Sequence, residues 1–348
     1  MLANIGYVPL LKTRVSEVEA YNYLSIDAKD RTFPVFSLRP WPNANHLQLA
    51  VDRVSEAVAN RPFALGLDRE RFLHPSRKEA QAEFNALFDE SLGFRAYFDL
   101  VRQIENAVPV LHSTTGADSL LHQLGNAHEL DRGLVVHQRR DQAIPISETI
   151  IQLPPLPHDT VFVVDAGWQR DALQLQSWAA AAARRIVDLL PSAEVVIMSS
   201  SFPDSFSHIV GTEEEQAHEN GVFDAVRQQL QDANLTYGDW GSTRLSQSGG
   251  GGTIPPRLDI PRPASWQIFR ADPDGEETYL SLSQDVQQHE AFGLVPDCWG
   301  KLQVEATDGE GAGVTGVKMN TSCRINMHMT FRSGAETTLD LDEQPYED

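Results

Sequence analysis

The feature that most constrains this chain is an alternation of short apolar runs with longer segments of helical period. Runs at Gly6–Leu11, Phe33–Leu38, Phe63–Leu67, Val108–Leu111, Gly133–Val136, Thr160–Val164, Glu194–Met198 and Leu235–Tyr237 make eight candidate strands. Their starts lie 25 to 45 residues apart, the length of a strand plus a crossover helix. Helical patterns fill the gaps: Val15–Leu24, His46–Ala59, Ser76–Ala107 with a break near Ser91–Gly93, Ala117–Leu130 with Asp118 as candidate cap, Ala172–Leu190 and Val222–Ala233. A later one, Thr278–Phe292, is a candidate to close the ring.

Alternating strands and helices predict a parallel sheet covered by helices. Eight such units match an α/β fold of the (β/α)8, TIM-like barrel type. A doubly wound open sheet is the alternative. It would show fewer strands, and no Gly-x-Gly-x-x-Gly follows the first strand.

The expected organisation is a barrel over 1–292, with an irregular eighth unit and a Gly/Pro-rich insertion at about 241–276. Within the insertion, Trp266–Arg270 reads as an extra strand. A C-terminal segment, 293–331, is expected to pack on the barrel. An acidic tail, 332–348, is expected to be partly disordered: the last fourteen residues hold six acids and no Lys or Arg.

Charge narrows the function classes. Lys and Arg number 28 against 49 Asp and Glu, for a net charge of −21. Such a chain gains no general attraction to nucleic acid or anionic lipid. No apolar run reaches 18 residues, which argues against a membrane span. The N-terminus lacks a basic stretch before its short apolar run, so a cytoplasmic location is expected. The two cysteines, Cys298 and Cys323, exclude a disulfide scaffold and any four-cysteine metal site.

In a barrel of this kind the chemistry sits at the C-terminal strand ends. Those ends carry Lys12, Arg39, Asp68, His112, His137 followed by Arg139, Asp165, Ser199–Ser201 and Asp239. Lys12, Arg39 and Arg139 suit an anionic ligand, nucleotide-like or otherwise. Lys12 and Arg39 suit a structural ion pair with Asp68 equally well. Asp68 and Asp165 are candidate acids or bases, with His112 or His137 as proton shuttle. Capping of the next turn is the plainer reading of Asp165. No His-Glu-x-x-His or related spacing supports a metal site, and no motif implies a cofactor.

Tyr7-Val-Pro-Leu-Leu-Lys12, Glu17, Ala20 and Phe33-Pro-Val-Phe36 resemble the opening of the beta protein family, found in phages, satellite phages and bacteria. Arg257-Leu-Asp259, Trp266–Arg270, Tyr279, Trp299-Gly300 and Arg324-Ile-Asn326-Met-His328 resemble its C-terminal signatures, so the likeness runs roughly over 5–331. The sequence departs from the family's pattern at Ser37, where a carboxylate is usual. The resemblance implies no defined biochemistry, but it places some members in anti-phage defence loci beside toxin-like genes. It adds Asp259, Arg270, Arg324, Asn326 and His328 as candidate ligand-binding residues. The same residues suit an ion-pair network that pins the C-terminal segment. The competing function is a non-catalytic scaffold whose acidic surface engages a protein partner, a toxin-like or defence component.

Overall fold

The computed structural model describes residues 1–114, 116–142, 155–243 and 254–335. Its strands are β1 (Tyr7–Lys12), β2 (Val35–Leu38), β3 (Phe63–Leu67), β4 (Ala107–Pro109), β5 (Leu134–Arg139), β6 (Thr160–Trp168), β7 (Glu194–Ser200), β8 (Gly211–Gln216), β9 (Asn234–Asp239), β10 (Arg257–Pro261) and β11 (Ser265–Arg270). Eight of them form one sheet in the order β4-β3-β2-β1-β9-β7-β6-β5, with every pairing parallel. A parallel bridge between Val110 and Val135 brings the two edges together, so the sheet is nearly closed into a barrel. All eight expected runs are the barrel strands.

Their composition explains why. A strand covered on both faces is apolar on both. Along β6, Val161 and Val163 join the barrel interior with Val8, Val35, Ala64, Val135 and Val196. Phe162 and Val164 face the helices with Tyr7, Phe36, Phe63 and Ile197. The interior is narrow: a Cβ at Gly238 would stand 2.8 Å from both Val196 Cγ1 and Val8 O.

The helices are α1 (Val15–Asn22), α2 (Ile26–Asp30), α3 (Gln48–Val58), α4 (Glu79–Ala86), α5 (Arg95–Gln103), α6 (Ala117–Leu130), α7 (Ala172–Leu189), α8 (Glu219–Gln229), α9 (Tyr279–Gln288), α10 (Glu290–Gly293), α11 (Trp299–Glu305) and α12 (Val317–Ser333). The break expected near Ser91–Gly93 separates α4 from α5, where Gly93 takes a φ of 62°. Asp118 is not the cap of α6; Gly116 holds that position and offers no side chain, while Asp118 lies in the first turn. There its charge still complements the helix dipole. Helix α7 is capped by Asp171, whose carboxylate accepts from the backbone N–H groups of Leu173 and Gln174.

The expectation that Thr278–Phe292 closes the ring is corrected. That segment forms α9 and α10, and its Leu282, Val286 and Phe292 pack with Leu258 and Ile260 of β10. Helix α12 lies on the barrel wall instead, with Ile325 and Met329 in the main core beside Leu11 and Tyr237. Its opposite face puts Cys323 and Met327 into the second core with Trp299 and Val304. A helix buried on both sides loses the one-sided apolar stripe of a surface helix.

A second sheet, antiparallel in the order β10-β11-β8, flanks this helix. The extra strand expected at Trp266–Arg270 is β11. Strand β8, Gly-Thr-Glu-Glu-Glu-Gln, carries no apolar alternation and was not expected. The Gly-rich stretch at 248–252 and most of the acidic tail, 336–348, lie outside the described residues.

Candidate functional site

The inward-facing alternation continues past the valines to the C-terminal end of the barrel. Val8 and Leu10 lead to Lys12, Val35 to Ser37, Ala64 and Gly66 to Asp68, Val110 to His112, Val135 to His137 and Arg139, and Val163 to Asp165. All of these polar ends line one cavity of about 90 Å³. Ser37 is therefore on the cavity wall.

Asp165 is the most firmly held group there. It is 1% exposed. Its carboxylate accepts from His137 Nε2 at 3.0 Å, Trp240 Nε1 at 3.1 Å and the Gly167 N–H at 2.9 Å. A register shift in β6 between Asp165 and Trp168 turns the chain back so that the Gly167 amide meets its carboxylate. The contact with the Gly167 amide is the turn-capping contact expected of Asp165. Nδ1 of His137 makes no hydrogen bond among the described residues. An imidazole oriented by a carboxylate through one nitrogen, with the other available, is the arrangement of a general base.

Asp68 lies across the mouth, buried, with its Oδ1 accepting from the Glu70 N–H at 3.2 Å. Lys12 Nζ stands 4.0 Å from Asp68 and Arg39 Nη1 stands 3.4 Å from it. The Arg39 contact is close in charge but not aligned as a hydrogen bond, since Oδ2 has no such partner. Arg39 reaches Asp68 from behind and does not line the cavity. Lys12 does line it, and also contacts Glu70 Oε2 at 2.5 Å. Burial pushes the Glu70 carboxyl up, but the Lys12 ammonium outweighs it and holds the group below the usual range. Arg139 forks onto Asp141 at 3.0 and 2.6 Å.

His112 is fixed differently. Gln123 clamps its backbone at both N–H and C=O, at 2.8 and 3.0 Å. Its ring packs on Phe94 and Tyr97, and its Nε2 is buried without a hydrogen-bond partner. Burial, helped by the charge of Arg69, pushes the imidazole down to about 3, so it is neutral near pH 7. Arg69, Glu70 and Trp240 are mouth residues that the sequence reading missed. Each immediately follows a strand-end acid or its neighbour, which is the signal that could have found them.

The C-terminal candidates lie elsewhere, and none lines the mouth. Asp259 accepts from Arg257 at 2.7 and 2.9 Å and from Arg324 Nη1 at 3.1 Å. Burial pushes this carboxyl up, and the paired guanidiniums pull it below the usual range. Arg270 donates to the Ile209 carbonyl at 2.5 Å. Asn326 ties three helices: its Oδ1 accepts from the Gly300 N–H of α11 and its Nδ2 donates to the Ala20 carbonyl of α1, both at 2.9 Å. His328 Nε2 pairs with Asp239 Oδ2 at 2.8 Å behind the barrel wall, where Tyr7 and Tyr237 also donate to Asp239.

Among the described residues, the groups close enough to share a metal ion are His46–Glu79–Glu83 and His208–Glu213–Glu215, both mainly exposed. Neither contains a mouth residue. No helix among the described residues is long and apolar enough to cross a membrane.

Fold and site together define a helix-flanked α/β-barrel protein with a charged mouth and a C-terminal helix buried against its wall. The Beta protein family model matches residues 7–333, and the chain belongs to that family. It is 24% identical over 334 residues to Protein beta of Enterobacteria phage P4, covering 94% of this chain and 92% of that protein. No solved structure matches.

Proposed function

We propose that the barrel mouth binds an anionic small molecule and acts on it by acid–base chemistry. The observation that carries this reading is the His137–Asp165 pair, 3.0 Å apart, on the wall of a cavity that Lys12 and Arg139 also line. Lys12 and Arg139 attract the anion, and Arg39 supports the charge balance through Asp68. His137 takes or gives the proton, and Asp165 fixes its orientation. Asp68 and the neutral His112 form the opposite wall and supply the second polar contact.

A thermal-shift screen against nucleotides, sugar phosphates and carboxylates tests this, because a ligand bound to the native state raises its apparent stability. A compound that raises the melting temperature of the wild type and leaves Lys12→Ala and Asp165→Ala unmoved is the expected result. Shifts that survive both substitutions would contradict it. A blank across the panel would favour a second reading, a scaffold that engages a basic protein partner in phage–host conflict. The observation behind that reading is β8, an edge strand with Glu213 and Glu214 exposed.

A further inference from the structure

We propose, resting on the mouth reading above, that the ligand presents a single anionic oxygen group that displaces the Glu70 carboxylate from Lys12, so that Glu70 guards the site. Among the described residues the Glu70 side chain hydrogen-bonds to Lys12 alone, with Arg139 and Arg14 acting on it only through charge. Glu70 sits on a one-turn 3-10 segment after β3, and its side chain is 46% exposed. It can therefore swing into water without disturbing the core. Asp68 cannot: it is 4% exposed, caps the same turn and is flanked by Arg39.

The ammonium that faces Glu70 also faces the cavity. A ligand carboxylate or phosphate monoester in that cavity would therefore compete with Glu70 for one cation. The charge balance limits the ligand. Asp68 stays in place beside Lys12 and Arg39, and only one carboxylate leaves, so a single anionic head takes the place of Glu70 at Lys12. The neutral end of the ligand has its own partner. His112 Nε2 and Ser113 Oγ, both on the cavity wall, are buried without hydrogen-bond partners. A ligand atom that meets either removes the cost of an unsatisfied polar group.

Isothermal titration of the full-length protein with acetate and with inorganic phosphate tests the proposal. Glu70→Gln and Glu70→Ala should both bind one of these probes about tenfold tighter than the wild type, because a competitor that occupies most of the population is gone. Lys12→Gln should lose the binding. Which probe responds separates a carboxylate head from a phosphate head. Equal or weaker binding by both Glu70 variants, with loss in Lys12→Gln, overturns the guard and leaves the mouth as an anion site. Binding indifferent to Lys12, or none in the wild type and both Glu70 variants, overturns the mouth reading itself.

Discussion

Two polar regions of this molecule are built from similar residues and do different things. The belt around α12 contains Asp259, Arg257, Arg324, Asp239 and His328, and its charges meet one another. The mouth contains Lys12, Asp68, His112, His137 and Asp165, and some of its polar atoms meet nothing. Both are well buried in places, so burial does not separate them. Access does. The belt charges are paired and enclosed by the packing of α12 against the barrel wall and β10, and the one ring nitrogen left over, His328 Nδ1, is sealed in with them. Mouth groups keep spare donors and acceptors on a cavity wall, where a ligand can use them.

The largest effect that would test this contrast lies in the belt. Removing one partner of a buried ion pair strands the other charge, at a cost of about 3–5 kcal/mol. Arg324→Ala should lose about 1.5–3 kcal/mol in chemical denaturation, the loss of one charged hydrogen bond, because the bidentate Arg257 still holds Asp259. A loss under about 1 kcal/mol would show that the belt is not a structural clamp. His137→Ala, in the mouth, should abolish any ligand response.

A smaller effect is the pH dependence of the belt. Burial pushes the Asp239 carboxyl up, but His328, Arg332 and Tyr7 outweigh it and hold it well below the usual carboxylate range. A carboxylate depressed in the folded state adds stability above its unfolded pKa near 4 and loses it as pH falls toward the folded value. The wild type should therefore lose stability below about pH 4. Asp239→Asn should be less stable at neutral pH, and its stability should fall less steeply in acid. Parallel pH curves for the two proteins would contradict this role for Asp239.

Much of the fold was legible because parallel barrel strands are apolar on both faces, which marks them as compact runs between helices. The exceptions have physical causes. Strand β8 is exposed and glutamate-rich, so neither apolar alternation nor β-branched residues mark it. Helix α12 lies on the barrel wall beside β1, yet Arg324, Asn326 and His328 interrupt its apolar pattern because each pairs with a group on another element. The mouth was legible from the same alternation that built the barrel, since Lys12, Asp68, His112, His137 and Asp165 extend it. Grouping the two sets of polar residues was not. Asp259 and Asp165 look alike in sequence, and only the positions of Arg257 and Arg324 against those of His137 and Trp240 tell them apart. Asp239 and Trp240 show how local the distinction is: adjacent in sequence, one faces the belt and the other the mouth.

The central claim, that the mouth is a ligand site and the belt is not, is tested most directly by nitrogen NMR of the histidine side chains during a titration with inorganic phosphate and with acetate. His112, His137 and His328 would be assigned by single substitution. The account predicts that the ring resonances of His137 and His112 move with one of these anions while those of His328 stay fixed. Movement of His328 with the mouth histidines unchanged would contradict it.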